Sequence, residues 1–357
     1  MPRRKRIAIL TAGGDCPGLN AVIRAVVKTA QNVHGWDVYG VRNGTEGFME
    51  PHGHGLYRLS REDIAGLLPR GGTILGANNR FEIFNVKEGQ GPVGDQSDRA
   101  VKALKRRGIT ALITVGGDGT HRMARRLMEK GVPIVGVPKT IDNDIQGTDR
   151  TFGFDSAVSV VTEAIDRLYT TAESHHRAML VEVMGRDSGF IALHGGIAGG
   201  AEAILLPEIP YDPDRLADVV RVRAKRGRRF SIIVVSEGAR LAKGKKTYQD
   251  TEDGTRKRLG GVSAMVQAQL ESRTELEVRN VVLGHTQRGG SPTAYDRVLA
   301  TAMGSHAVTL EQATRSVRKV DPKGQNVQIA RDMGISFAAA DGADDALTKR
   351  RRRFGAP

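Results

Sequence analysis

Residues 6–27, RIAILTAGGDCPGLNAVIRAVV, give the first architectural signal in the chain. An apolar run over residues 6–10 yields to Gly13 and Gly14, and an apolar pattern with helical spacing begins at Leu19. A buried strand, a turn of small residues and a helix form the unit from which parallel α/β sheets are built. Two glycines at that junction let backbone N–H groups approach an oxyanion at the positive end of the helix. A tight turn accounts for such glycines equally well. The third glycine and the ribose-binding acid of a dinucleotide fingerprint are missing.

The same order recurs along the chain. Further strands are expected at residues 38–41, 111–115, 134–137, 178–183, 203–206, 231–236 and 278–283, each a continuous apolar run of the kind buried on both faces. Helices are expected at 19–31, 121–130, 156–172, 214–224, 261–271 and 294–310. The fold class is therefore α/β. The Gly-, Lys- and Asp-rich stretch 239–260 reads as an exposed loop or hairpin. A length of 357 residues fits two domains, each able to bury its own core.

Hydrophobic content of 39% and charged content of 26% are those of a soluble globular protein. The formal charge of +14 concentrates in Arg3, Arg4, Lys5, Arg6 and the run 349–353. Aromatic residues make up only 4% and do not alternate with the basic ones, so solvated tails are preferred to a nucleic-acid surface. Cys16 is the single cysteine, which rules out an intrachain disulfide and points to a reducing, cytoplasmic setting. The longest uncharged stretch, between Asp187 and Glu202, is too short and too rich in glycine to span a bilayer, so no membrane partner is expected. The N-terminal basic cluster leads into only four apolar residues, which is no secretory signal.

Residues 111–127, ALITVGGDGTHRMARRL, repeat the opening arrangement, with Gly116, Gly117, Asp118, Gly119 and Thr120 between strand and helix. An acid among backbone donors repels a phosphate unless a cation lies between them, which makes Asp118 a candidate Mg2+ ligand. The GGDGT string also occurs in kinases acting on NAD and on diacylglycerol. A third segment, VGVPKTIDNDIQGTDRTFGFDSA over residues 135–157, carries Asp142, Asn143 and Asp144 in a turn. Such a concentration of acid reads as a base for an alcohol beside a metal-side acid, or as caps of the following helix.

In order and at matching spacing, GGDCPGLNAVIR (13–24), GGDGT (116–120), PKTIDNDI (138–145), HHRAMLVEVMGR (175–186) and VLGHTQRGGSPTAYDR (282–297) resemble the ATP-dependent and pyrophosphate-dependent 6-phosphofructokinase family. The resemblance implies two similar domains, each a mostly parallel sheet flanked by helices, with the active site in the cleft between them. Residues 1–153 plus 287–340 would bind ATP, 154–286 would bind fructose 6-phosphate, and 341–357 would form a disordered basic tail. It further implies transfer of the γ-phosphoryl group of MgATP to the 1-hydroxyl of fructose 6-phosphate. Asp142 would take the hydroxyl proton, Asp118 would hold Mg2+ with Asp144 nearby, and Gly14 and Arg186 would stabilise the transferring group. Arg177, Arg279, Arg288 and His285 would grip the sugar phosphate, with Thr140, Met184, Gly185 and Glu237 lining the sugar. Arg80, Phe81, Gly117, Gly119 and Thr120 would contact the nucleotide. Arg177 and Arg279 would reach a neighbouring subunit, which implies a homo-oligomer, a dimer or tetramer.

Three departures stand out. ATP users of the family carry glycine at the positions of Gly119 and Lys139, and pyrophosphate users carry Asp and Lys, whereas this chain has one of each. An Asp at 119 would repel the α-phosphate and Gly leaves the space open, so ATP is the expected donor and pyrophosphate the alternative. The stretch LGANNRFEIF (75–84) is one residue longer than the bacterial pattern, and Thr45 replaces a flanking aromatic. Arg24, Lys28, Arg61 and Arg228 keep positive charge at the family's effector site, where Tyr169 replaces an Arg. The runner-up function is a non-catalytic sensor of phosphorylated ligands on the same scaffold.

Overall fold

The structure, a computed structural model, describes residues 4–50, 54–242, 248–250 and 257–309. Among them the chain forms two compact units: residues 4–50, 54–141, 145–156 and 288–309, and residues 142–144, 157–242, 248–250 and 257–287. In chain order the first contains β1 (Arg6–Thr11), α1 (Leu19–His34), β2 (Asp37–Val41), β3 (Leu56–Arg58), α2 (Ser97–Arg107), β4 (Ile109–Gly116), α3 (Asp118–Glu129) and β5 (Ile134–Pro138). Helix α4 (Phe154–His175) leads into the second unit, which holds β6 (Ala178–Val183), α5 (Phe190–Ala198), β7 (Ala203–Leu205), α6 (Pro213–Lys225), β8 (Ser231–Ser236), β9 (Tyr248–Asp250), β10 (Lys257–Leu259), α7 (Val262–Glu271) and β11 (Val278–Val282). The chain then returns to the first unit as α8 (Ala294–Thr309).

The first sheet runs β3-β2-β1-β4-β5, parallel except for the antiparallel edge strand β3. Ile7 pairs with Val38 on one side and Ala111 on the other. Residues of β1 are buried from Ile7 onward because helices and loops cover both faces. Leu10, Val41, Phe48, Ile83, Phe84, Leu112, Leu127 and Ile134 make one core cluster on this sheet. Each such side chain contributes about 1.5–3 kcal/mol by leaving water. Helix α1 ends at Gly35, whose φ of 65° directs its N–H back to Ala30 O. Helix α8 packs against α1 at Gly304, where an added Cβ would lie 2.8 Å from Val22 O.

The second sheet runs β11-β6-β8-β7, all parallel. Every residue of β6 and β8 is buried. The one buried acid among them is Glu182, whose carboxylate accepts from Gly261 N at 3.1 Å, Ser263 N at 2.8 Å and Ser263 Oγ at 2.6 Å, and so caps α7. Asp212 caps α6 in the same way through Asp214 N and Arg215 N, with Pro213 at the first helical position.

Helix α3 starts at Asp118 rather than near His121, so the last residues of GGDGT form its first turn with Gly117 as the cap. Helices α2 and α5 and strand β3 arise where the sequence reading placed no element. Among the described residues of 239–260, β9 and β10 pair antiparallel. The 341–357 tail lies outside the described residues. No described helix is long and apolar enough to cross a membrane.

Candidate active site

Each unit gathers predicted site residues at the carboxyl ends of its strands. In the first sheet the chain leaves β1 toward β2 and leaves β4 toward β5, so the strand order reverses between β1 and β4. That reversal point is where open α/β sheets bind ligands. Gly13 follows β1 at φ 76°, a conformation that excludes most side chains. An added Cβ at Gly14 would lie 2.7 Å from Arg288 Nη1, and the same Nη1 donates to Asp15 O at 3.1 Å. Buried Lys139 donates from Nζ to Gly14 O, and its backbone N–H donates to Gly116 O at 2.9 Å. The structure thus brings Gly14, Lys139 and Arg288 together around one turn.

The second turn of this edge is built by Gly117 and α3. Thr120 occupies the space a side chain at Gly116 would need, and the Cβ position of Gly119 has no atom within 4 Å. Asp118 is partly exposed and pairs with Arg122 Nη1 at 2.8 Å. Thr140 is buried, and its carbonyl accepts from Thr151 Oγ1 at 2.7 Å. Arg80 is exposed, whereas Phe81 is buried in the core cluster of the first sheet. Among the described residues no group of three or more His, Cys, Asp or Glu forms a cage for a metal. Mg2+ needs no such cage, since one or two carboxylates, waters and substrate phosphates suffice, and the partly exposed Asp118 carboxylate fits that donor set.

The second unit carries the other half of the predicted set. Asp142 is 5% exposed, its carbonyl accepts from Ser188 Oγ at 3.3 Å, and Asn143 beside it adopts φ 51°. Met184 and Gly185 follow β6, and Arg186 sits at φ 53°. Glu237 follows β8 and accepts from Arg186 N at 2.9 Å and Gly185 N at 3.3 Å. Burial pushes the Glu237 carboxyl above its ordinary range, and the charge of Asp142 adds to the effect. His285 is exposed on a 3-10 turn at the same end of the sheet, Gly284–Arg288. Asp144 is partly exposed.

Arg177 and Arg279 lie elsewhere. Arg177 precedes β6 and Arg279 is the second residue of β11, so both occupy the amino edge of the sheet. A strand of six residues separates the edges by roughly 20 Å, further than an arginine side chain reaches. Both guanidinium groups bond Glu277, Arg177 through Nε and Arg279 through Nη2. The bond from Arg177 is the main cause that holds the Glu277 carboxyl below its usual range. Glu277 was not singled out in the sequence. Its signal is the alternation Glu277–Val278–Arg279, which places acid and base on one face of a strand.

The family model for phosphofructokinase matches residues 6–311. An ATP-dependent 6-phosphofructokinase of Chloroflexus aurantiacus is 49% identical over 358 residues, which cover 94% of this chain and 98% of that protein. A pyrophosphate–fructose 6-phosphate 1-phosphotransferase of Amycolatopsis mediterranei is 50% identical over 306 residues, 85% of this chain and 86% of that one. Among solved structures, phosphofructokinase from Saccharomyces cerevisiae superposes with a TM-score of 0.74 at 33% identity, over 88% of this chain and 42% of that longer one. With both strand-end clusters inside the matched region, the chain belongs to the phosphofructokinase family.

Proposed function

We propose that the protein is an ATP-dependent 6-phosphofructokinase, transferring the γ-phosphoryl group of MgATP to the 1-hydroxyl of fructose 6-phosphate to give fructose 1,6-bisphosphate and ADP. The observation that carries the reading is buried Asp142 in a left-handed turn, bonded to the loop that presents Arg186. The first unit carries the groups proposed for the nucleotide, and the second carries most of those proposed for the sugar phosphate.

Asp142 receives the proton of the attacking hydroxyl. In a loose transition state that proton leaves late, so placement of the carboxylate matters more than its basicity. Gly14 N–H and Arg186 stabilise charge on the transferring phosphoryl group. Mg2+ held at Asp118, with Asp144 as a further carboxylate, supplies neutralisation of the terminal phosphates when bound. Arg288 and His285 take the sugar phosphate with Arg177 and Arg279, whose guanidinium forks match phosphate oxygens. Thr140, Met184, Gly185 and Glu237 line the sugar, and Gly117, Gly119 and Thr120 with Arg80 take the nucleotide. Phe81 contributes from the core, where it supports the loop carrying Arg80. Because Arg177 and Arg279 sit at the opposite edge from Glu237, they serve a second copy of the chain, and the working unit is a homo-oligomer. A reducing compartment, the cytoplasm, suits the single buried thiol of Cys16.

The open space at Gly119 favours ATP, since nothing there crowds an α-phosphate. A second reading, pyrophosphate as donor, is favoured by Lys139, whose buried ammonium holds the Gly14 turn. Purified protein with fructose 6-phosphate and Mg2+, given ATP or pyrophosphate separately, decides between them. Faster turnover with ATP, abolished by EDTA, is the expected result. Turnover with pyrophosphate alone would replace the donor assignment, and ligand-induced thermal stabilisation without turnover would replace the enzyme by a sensor. As a paired expectation, Gly119→Asp suppresses ATP use more than pyrophosphate use.

A further inference from the structure

We propose that Glu237 is a positioning residue that acts on the reaction through Arg186, by fixing the backbone conformation from which the guanidinium is presented. The inference rests on the function proposed above and deepens it. Strand β6 ends at Val183, so Gly185 N–H and Arg186 N–H have no ladder partner, and Glu237 Oε1 accepts both, at 3.3 and 2.9 Å. Arg186 sits at φ 53°, a region that a residue with a side chain occupies only when its surroundings impose it. The surroundings do so from three sides. Ser188 N–H closes a turn on Gly185 O at 2.9 Å. Gly238 lies so close to Arg186 O that any Cβ there would collide with it. Glu237 itself is anchored by its own N–H to Val183 O at 2.8 Å. At the far end of the loop a second carboxylate, Glu208 Oε1, accepts from Gly189 N–H at 3.0 Å. One oxygen of Glu237 is thereby committed to backbone rather than to a sugar hydroxyl.

A side chain that only lines the sugar changes KM. One that acts through Arg186 changes kcat, and its loss costs little once Arg186 is gone. The test is a double-mutant cycle of Glu237→Ala and Arg186→Ala, with kcat and KM for fructose 6-phosphate measured at saturating MgATP. Each single variant is expected to lower kcat by about 10- to 100-fold, and the double variant to match Arg186→Ala within about twofold. Losses that multiply, or a Glu237→Ala effect confined to KM, would overturn the role. Glu237→Gln and Glu237→Asp give an independent reading, available even if Glu237→Ala does not fold. Gln keeps the acceptor and loses the charge, whereas Asp keeps the charge and withdraws the acceptor. Gln is expected to retain more kcat, and the reverse order sinks the proposal. Absence of turnover in the unaltered protein would remove the proposed function and this role together, whereas turnover with multiplying losses removes the role alone.

Discussion

The two edges of the second sheet use charge in opposite ways. At the carboxyl edge Asp142 and Glu237 are largely withdrawn from water, and two non-glycine residues, Asn143 and Arg186, are held at positive φ. At the amino edge Arg177, Glu277 and Arg279 form an accessible ion-paired cluster, with side chains 30%, 39% and 51% exposed. Buried, over-determined groups cost free energy to assemble and give fixed geometry, which suits a chemical step. Exposed guanidinium groups give long reach and screened attraction, which suits capture of a phosphate. In the proposed enzyme the carboxyl edge therefore carries the chemical step, and the amino edge adds only capture of the phosphate.

The largest expected effect lies at the carboxyl edge. Asp142→Asn lowers kcat by roughly two to four orders of magnitude and leaves KM for fructose 6-phosphate within a few-fold. Steady-state assay checks this, and full turnover would strip Asp142 of its role. Next comes Gly238→Ala, which forces a methyl group against Arg186 O. A loss of about 1–3 kcal/mol in denaturant stability together with reduced kcat is expected, and a neutral result would mean the loop moves freely.

Arg279→Ala acts at the other edge and should raise KM for fructose 6-phosphate by about 10- to 100-fold, the weight of a charge-assisted phosphate contact, with kcat little changed. A kcat defect without a KM defect would erase the contrast between the edges. The smallest effect concerns pH. The Arg177 guanidinium holds the Glu277 carboxyl below the ordinary carboxylate range in the folded protein, so its stabilising contribution is present above that ordinary range and is lost as pH falls through the lower folded value. Glu277→Gln should flatten the acid side of the stability curve slightly, and an unchanged slope would show that the cluster adds nothing to folding.

Much of the fold was legible because burial on both faces writes itself into composition. The largely apolar, fully buried runs of β6 and β8 were read at their observed bounds, 178–183 and 231–236. Helix α5 escaped because FIALHGGIA is mostly buried and has no polar face to create a helical period. Helix α2 escaped for the opposite reason, since SDRAVKALKRR is dominated by solvated charge. Strand β3 is only three residues long. At the candidate site, motifs named the side chains, but turn geometry did not show in them. That Glu237 bonds two backbone N–H groups, or that Glu277 joins Arg279 to the arginine preceding β6, depends on which residues the sheet register brings side by side.

In the proposed enzyme a complete site draws on both edges, which one copy of the chain cannot bring together. Mixing two defective variants tests it directly. Asp142→Asn keeps the amino-edge arginines, and Arg177→Ala/Arg279→Ala keeps the carboxyl-edge acid. Each is nearly inactive alone at low fructose 6-phosphate. In a hybrid oligomer formed by denaturing and refolding the two together, the intact acid of one copy meets the intact arginines of the other. Turnover should reappear with an unaltered KM, and a mixture no more active than its separate components would mean that the two edges do not serve one shared site.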